Sequence, residues 1–327
     1  MSRIPAALAA TLALTAACGG DTPPPIEVAE RSVVWRSLAP APTPRTEVAA
    51  AVLGDDRIVV AGGFAAPART VNVVEIYEPS TDTWTPGPAL PVEVNHAMGA
   101  SLDGRAYIFG GFDAGGAPTT RAFVLEDDAW AELPPMPEPR GAGGAAVADG
   151  KIYLVGGVGP AGLAASTLVF DAEGNDWSIA PALLNPREHL GVAAFEDRVY
   201  AVGGRTGGLG GNLTDAELFD PQEGSWTAIA RAPTARGGIA AAATSNGFVV
   251  APGGEAPEGT FEEAEAYEVA QDRWLALPPM PTPRHGLGVV AIGTIVYALL
   301  GGPEPGLEFS GATEAIDLGA LPTETPR

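Results

Sequence analysis

The sequence is poor in cysteine, in basic residues and in charge of either sign. Its 327 residues include one Cys, 18 Lys and Arg, and 40 Asp and Glu. A single thiol excludes an intrachain disulfide, a multi-cysteine zinc site and an iron–sulfur cluster. The net charge of −22 repels phosphate backbones, so nucleic acid is not an expected partner.

Turn-forming and apolar residues, in contrast, are plentiful. The chain contains 43 Gly and 32 Pro, and 46% of its residues are hydrophobic. This apolar share can supply a core, which argues against a disordered chain. Many turn formers combined with few charged residues favour an all-β protein over a helical one.

The N-terminus predicts an exported protein. Arg3 is followed by an apolar run over residues 4–17, which is too short to cross a membrane and fits a cleaved leader. The run ends in Leu14-Thr15-Ala16-Ala17-Cys18, which resembles a bacterial lipobox, although Thr15 replaces the usual Leu. The resemblance implies lipid modification of Cys18 as the first mature residue. Ordinary signal-peptidase cleavage beside an incidental Cys is the alternative.

These features predict four segments: a signal peptide over residues 1–17, a lipid-site Cys with a flexible tether over 18–32, a repeat domain over 33–321, and a tail over 322–327. No later segment approaches 18 apolar residues, so membrane contact is expected only through the lipid anchor. We therefore expect a protein of the cell envelope, either anchored to the outer membrane or in the periplasm.

A repeat of about 48 residues runs through the rest of the chain. Each Trp precedes the next Gly-Gly pair by 26 or 27 residues, and an aromatic lies seven residues before five of the tryptophans. An Arg lies ten residues after five of them, whereas Val94 takes that place in the second copy. The tryptophans are Trp35, Trp84, Trp130, Trp177, Trp226 and Trp274.

Each copy predicts four antiparallel strands. The apolar runs are short and β-branched or aromatic, and several are joined by tight-turn dipeptides such as Asp103-Gly104 and Asp149-Gly150. The first strand of each copy consists of small residues, which suits strands that converge on an axis. The bulky Trp and Tyr or Phe residues recur further out. This taper predicts a radial β-propeller.

The repeat of Arg, small-residue strand, Gly-Gly, Tyr or Phe, and Trp resembles the kelch repeat over residues 33–321. Trp35 precedes the first glycine pair, and no Trp follows the last pair. We therefore predict a six-bladed kelch-type β-propeller with four strands per blade, in which the strand around Trp35 completes the last blade.

The recurrent arginines are the first candidates for a functional site, because each precedes a first strand and so lies beside the predicted channel mouth. His96 and His189 share a position two residues after the Arg position, and His285 directly follows Arg284. Guanidinium and imidazole groups around one axis suit a carboxylate or an acidic sugar. The candidate catalytic residues are Arg187, Arg236, Arg284 and His189, and the candidate ligand-binding residues are Arg45, His96, Arg140 and His285.

An alternative interpretation gives these arginines a structural role. Each would then pair with an acidic residue of an adjacent blade or with loop carbonyls. Glu47 and Glu188 lie beside the Arg positions and are either acid–base groups or solvated carboxylates.

No metal and no cofactor are predicted. Histidines in alternate blades are expected to lie far apart unless the channel is narrow, and no carboxylate ligand can be assigned. A resemblance to the galactose-oxidase branch of kelch-like enzymes would imply a copper site with a Tyr–Cys crosslink. This chain cannot form that crosslink, because its single cysteine, Cys18, is assigned to the lipid site.

The fold and composition predict a surface-tethered binding module rather than an enzyme. The loops that follow the glycine pairs define a loop face, and the expected ligand on it is a protein or a glycan. The alternative function, implied by a further kelch-like resemblance, is a carbohydrate-active isomerase of the sialic-acid mutarotase kind that acts at the channel mouth.

Overall fold

A computed structural model describes residues 27–28, 33–54, 56–164 and 166–321. Within this part of the chain nearly all regular structure is β-strand, as the sequence predicts, and the helices are two three-residue 3₁₀ turns, Leu209–Gly211 and Val269–Gln271. Among the described residues, no helix is long and apolar enough to span a bilayer.

Several predicted features lie outside the described residues: the leader, Cys18, most of the tether and the tail from residue 322. Within the predicted tether, Glu27–Val28 pairs in parallel with Arg273–Ala276.

Four sheets consist of four antiparallel strands each, ordered from the channel outward. Blade 1 contains Ala49–Val52, Ile58–Ala61, Val74–Glu78 and Thr83–Pro86. Blade 2 contains Met98–Leu102, Arg105–Phe109, Ala122–Glu126 and Ala129–Glu132. Blade 3 contains Gly144–Ala148, Lys151–Val155, Thr167–Asp171 and Asp176–Ala180. Blade 4 contains Gly191–Phe195, Arg198–Val202, Ala216–Asp220 and Ser225–Ala228.

The two remaining blades belong to larger sheets. Blade 5 contains Ala242–Ala243, Phe248–Pro252, Ala264–Glu268 and Arg273–Ala276. Blade 6 contains Gly288–Ile292, Ile295–Gly301, Ser310–Asp317 and Trp35–Leu38. The strand from Trp35 pairs antiparallel with Ser310–Asp317, with Trp35 opposite Ile316. The prediction that the N-terminal strand completes the last blade is confirmed.

The innermost strands surround a central channel. Each contacts the innermost strands of two neighbouring blades, and Gly288–Ile292 of blade 6 contacts Ala49–Val52 of blade 1. The small residues permit this approach: a Cβ added to Gly99 would lie 2.3 Å from the carbonyl oxygen of Ala50. A cavity of about 110 Å³ occupies the mouth of the channel.

The six tryptophans hold neighbouring blades together. Each indole N–H donates to a backbone carbonyl of the preceding blade's outer segment, over 2.7–3.0 Å. Trp35 joins this pattern through Pro278, as expected of the outer strand of blade 6. Four of the rings also pack on the aromatic seven residues earlier, as Trp84 does on Tyr77 with ring centroids 5.0 Å apart. The Trp spacing is therefore a packing signal.

Short strands and bridges bring the segments that follow the glycine pairs to the channel mouth. Arg45–Thr46 pairs with Phe64–Ala65, and isolated bridges join the equivalent residues of other blades, such as Asn95 to Phe112. Further short strands complete the loop hairpins: Arg69–Thr70, Val158–Gly159, Gly162–Leu163, Glu255–Ala256 and Gly259–Thr260. The loop face and the channel mouth therefore lie at the same end of the propeller.

Candidate functional site

The recurrent arginines do not reach the channel. All five are buried inside the blades, with relative exposures of 0–2%: Arg45, Arg140, Arg187, Arg236 and Arg284. Each guanidinium donates to backbone carbonyls of its own blade. Arg284 is representative: it donates to the Ala298 carbonyl over 2.9 Å and to the carboxylate of Glu314 over 2.7 Å.

In four blades the carboxylate partner comes from the third strand of the same blade. These pairs are Arg45–Glu75, Arg187–Glu217, Arg236–Glu265 and Arg284–Glu314. In blade 3 the equivalent position is Leu168, and Arg140 instead pairs with Glu138 over 3.2 Å and donates to Ser166. Blade 2 lacks both members, because Val94 replaces the Arg and Arg121 replaces the Glu.

The prediction that these arginines form an anion-binding mouth is therefore wrong. Arg45, Arg140, Arg187, Arg236 and Arg284 are enclosed within the blades. Each pairs with a carboxylate and with backbone carbonyls, as a buried charge requires. The structural alternative holds in a modified form, since the carboxylate belongs to the same blade rather than to an adjacent one.

The mouth itself is a belt of six equivalent residues, each two positions after an Arg position. They have φ angles from 52° to 70°: Glu47, His96, Ala142, His189, Gly238 and Gly286. Backbone N–H groups donate from blade to blade around the belt over 2.7–3.3 Å, and the last bond runs from Val48 to the carbonyl of Gly286. Glycine suits this left-handed geometry, whereas Glu and His occupy it at a steric cost.

Three polar side chains of this belt converge on the axis. His96 Nε2 lies 3.2 Å from Glu47 Oε2, and the rings of His96 and His189 lie 5.0 Å apart in an edge-on arrangement. The channel is therefore narrow enough for histidines of blades 2 and 4 to meet, which is the condition under which the sequence allowed them to lie close together. His285 lies one residue earlier in its repeat and approaches Glu47 from the other side, over 3.2 Å.

A second set of polar groups links these residues into a circuit. His285 Nδ1 lies 3.5 Å from Glu255, and Arg205 donates to Glu255 over 2.8 Å and to Glu188 over 3.0 Å. Glu188 in turn accepts a hydrogen bond from Nδ1 of its neighbour His189. Charged and imidazole groups thus enclose the mouth from blade 1 to blade 6.

Burial and pairing set the protonation states within the circuit. Burial lowers the pKa of His96 to about 4, against the opposing attraction of Glu47. Burial acts to raise the pKa of Glu47, but the surrounding imidazoles outweigh it and hold that pKa well below its usual range. Burial acts to lower the pKa of His285, yet its hydrogen bond to Glu47 and the field of Glu255 raise it. His96 is therefore neutral and His285 readily protonated near neutral pH.

The resulting charge balance favours a cation at the mouth. Glu47, Glu188 and Glu255 supply three carboxylates, against the Arg205 guanidinium and the imidazolium of His285. This balance disfavours the carboxylate or acidic sugar that sequence reasoning suggested.

Beside the mouth, between blades 1 and 2, lies a groove of about 500 Å³ on the loop face. Phe64 and Phe112 form its walls, and their rings stand edge-on to His96 with centroids 5.8 and 5.4 Å away. Asn95 lines the groove, and its Oδ1 atom lies 2.5 Å from His96 Nδ1. An open groove with aromatic walls and polar side chains can accept a ligand segment.

Sequence reasoning missed Arg205 and Glu255 at this site. Each directly follows a glycine pair, at a position that bridges to the residue after the Arg position: Arg205 to Glu188, and Glu255 to Gly237. The available signal was a change of residue type at this place of the repeat. Other copies have Phe64, Phe112 or Val158 there, whereas these two copies have a charged residue.

Comparisons with known proteins agree with this architecture. The kelch motif matches residues 48–91, 139–184 and 186–233. The chain is 37% identical over 126 residues to kelch-like protein terF of Aspergillus terreus, covering 35% of this chain and 28% of that protein. It is 28% identical to beta-scruin of Limulus polyphemus over 41% of this chain and 16% of that protein. It is 30% identical to human kelch-like protein 33 over 40% of this chain and 26% of that protein.

The chain thus spans less than a third of the length of these relatives. A solved structure titled "Structure of YjhT" superposes with a TM-score of 0.74 and 15% identity, covering 87% of this chain and 98% of that one. At this identity the likeness shows the fold alone. Together the repeats and the relatives support a kelch-repeat β-propeller family.

Proposed function

We propose that this kelch-repeat propeller is a binding module that takes a segment of a partner protein into the groove between Phe64 and Phe112. The groove itself, about 500 Å³ of open space beside the channel mouth, is the observation that carries the proposal. Aromatic side chains anchor many protein interfaces, and both rings of the groove are only half-buried. Kelch-repeat propellers commonly serve as protein-interaction modules.

Charge favours a basic contact segment in this partner. The chain carries a net charge of −22, and Asp113 lines the groove beside Phe112. An acidic surface attracts basic partners and steers their approach. An Arg or Lys side chain can also stack on an aromatic wall.

A binding role is better supported than the mutarotase alternative. The arginines suggested for an acidic sugar, Arg187, Arg236 and Arg284, are enclosed within blades. His189 is engaged with Glu188 in a mouth dominated by carboxylates. A glycan ligand is an outcome of the test below rather than the proposal.

Replacing Phe112 by alanine is expected to abolish most partner capture. A photo-crosslinking residue at Ala114, which is exposed on the groove rim, should trap a defined protein in cells expressing the otherwise unchanged chain. Loss of an aromatic anchor typically costs about 2 kcal/mol or more, roughly a 30-fold loss of affinity. Quantitative mass spectrometry of the crosslinked species measures the effect.

The matched control places the same crosslinker at Gln222, an exposed turn residue between the third and fourth strands of blade 4, at the other end of the propeller. No shared partner is expected from that position. Equal trapping from both positions, or trapping unaffected by Phe112→Ala, would contradict the proposal. Selective binding to a glycan array that is lost in Phe112→Ala would assign the groove to a sugar instead.

We also propose that the propeller is exported and held at the cell envelope through Cys18. The support is the sequence, in which an apolar run of leader length ends directly before this cysteine. A lipid on Cys18 would leave the residues that follow it as the spacer to Glu27–Val28, which pairs with a strand of blade 5.

The Cys18→Ser variant is expected to stop incorporation of an alkyne-labelled fatty acid and to move the protein from the membrane fraction to the soluble fraction. The expected change is complete because the chain contains no second cysteine. In-gel fluorescence after labelling measures it. Unlabelled wild-type protein in the soluble envelope fraction would instead support simple leader cleavage.

A further inference from the structure

We propose that Glu47, His96 and His189 form a binding site for a divalent transition-metal ion of the Zn²⁺ class at the channel mouth. Each of the three offers one ligand atom, and these atoms lie within 4.8 Å of one another. The site goes beyond the proposed protein-binding function, and its failure would leave that proposal standing because Phe64 and Phe112 are not ligands.

The spacing of the ligand atoms suits a metal. A tetrahedral zinc site with bonds of about 2.0–2.2 Å separates its ligand atoms by roughly 3.3–3.6 Å. Glu47 Oε2 and His96 Nε2 lie 3.2 Å apart. Two imidazoles and one carboxylate are a common ligand set for zinc and related first-row metals.

Both histidines are held in the orientation that metal binding needs. His96 Nδ1 faces the Oδ1 atom of Asn95, whose amide nitrogen donates to Thr70 over 2.8 Å and to the carbonyl of Phe112 over 3.2 Å. These acceptors fix the amide orientation, so His96 must donate through Nδ1. His189 donates through Nδ1 to Glu188. Oxygen acceptors on Nδ1 leave Nε2 free as the ligand atom, and they are a usual support of metal-bound histidine.

The contact between His96 and Glu47 suits a shared cation. With its proton on Nδ1, His96 presents the lone pair of Nε2 to a carboxylate oxygen 3.2 Å away. Two facing acceptors repel unless a second proton or a metal ion lies between them. The His96 and Glu47 side chains are only 15% and 10% exposed, so water screens this repulsion poorly.

The belt explains how three blades create one site. Glu47, His96 and His189 occupy the same position of the repeat, where the chain elsewhere places Ala142, Gly238 and Gly286. These small residues leave the rest of the mouth open and leave a metal coordination position for water or an external ligand. Polar residues held at positive φ at three of six equivalent positions are a feature of a functional site.

A second group, Glu47, Glu255 and His285, also brings its ligand atoms close together. The Nδ1 atom of His285 and the two carboxylates are already engaged within the protein. His285 Nδ1 lies between the two carboxylates, 3.2 Å from Glu47 and 3.5 Å from Glu255, and Arg205 donates to Glu255 over 2.8 Å. A metal there would have to displace an imidazole proton and lie beside a guanidinium.

The test is zinc titration of the tag-free full chain by isothermal titration calorimetry, with Co²⁺ absorption as a spectroscopic readout. Wild type is expected to bind one ion per chain. The variants His96→Gly and His189→Gly are expected to bind at least about 100-fold more weakly, because the loss of even a supporting group costs 10–100-fold. Both variants should fold, since Gly238 and Gly286 occupy equivalent belt positions.

His285→Ala is the comparison that assigns the ion to one group. We expect it to retain zinc binding, because His285 is not among the three ligands. The proposal is overturned if wild type binds no stoichiometric zinc. It is equally overturned if His285→Ala abolishes binding while His96→Gly and His189→Gly retain it.

Discussion

Replacing Arg284 by methionine is expected to lower the free energy of unfolding by about 3–5 kcal/mol, because it leaves a buried carboxylate without its partner. Glu314 is 2% exposed and lies 2.7 Å from the guanidinium. The backbone carbonyl of Ala298 loses a donor as well. Urea denaturation followed by tryptophan fluorescence measures the change.

The double variant Arg284→Met/Glu314→Leu is the control for this prediction. Blade 3 already has Leu168 at the position of Glu314, and blade 2 has Val94 at the position of Arg284. The double variant is therefore expected to lose less stability than the single one, since no unpaired charge remains. If Arg284→Met changed stability by less than about 1 kcal/mol, the level usual for exposed pairs, the buried-pair account would be wrong.

Replacing Trp35 by alanine is expected to lower the free energy of unfolding by about 3 kcal/mol. This loss lies toward the lower end for a large aromatic side chain, because Trp35 is only partly buried. The indole packs on the core between blades 5 and 6 and donates to the Pro278 carbonyl over 2.9 Å. Because Trp35–Leu38 is the outer strand of blade 6, its loss should loosen the junction at which the two ends of the chain meet.

Val34→Asn is the matched control, since Val34 is 56% exposed and directly precedes Trp35. It should leave the denaturation midpoint almost unchanged. Hydrogen exchange of Ser310–Asp317 should increase in Trp35→Ala and stay at the wild-type rate in Val34→Asn. Unchanged exchange in Trp35→Ala would show that the strand does not stabilise blade 6.

The sequence predicted the propeller because its signals come from packing that every blade repeats. Tryptophan needs both an aromatic neighbour and a carbonyl acceptor, so its spacing marks the outer part of each blade. The unmatched Trp35 predicted closure for the same reason. Small residues at the channel, such as Gly99 against Ala50, marked the inner strands.

The role of the arginines could not be read from their spacing alone, because a buried and an exposed Arg recur with the same period. A second pattern carried the information. In four of the blades that have the Arg, a Glu lies two residues before the outer aromatic or the residue equivalent to it. Blade 2, which lacks the Arg, lacks this Glu as well. Arg and Glu are present or absent together in five of the six blades, which indicates an ion pair rather than a ligand site. In blade 3, Leu168 takes the Glu place and Arg140 pairs with Glu138 instead.

The meeting of His96 and His189 depends on the channel width, which follows from how the blades close around the axis. One-dimensional spacing contains no such distance. The sequence did place both histidines at one position of the repeat, and the structure brings their rings to 5.0 Å. His285, one residue earlier, faces Glu47 and Glu255 instead.

The central claim is that residues shared by the repeat build the blades, whereas residues that depart from it at the mouth bind ligands. The most direct test is the zinc-induced change in thermal unfolding midpoint for wild type, His189→Gly and Arg140→Met. We predict that Arg140→Met unfolds at a lower temperature and keeps the zinc-induced increase, whereas His189→Gly keeps its midpoint and loses that increase. The reverse result, with zinc sensitivity lost in Arg140→Met and kept in His189→Gly, would contradict the account.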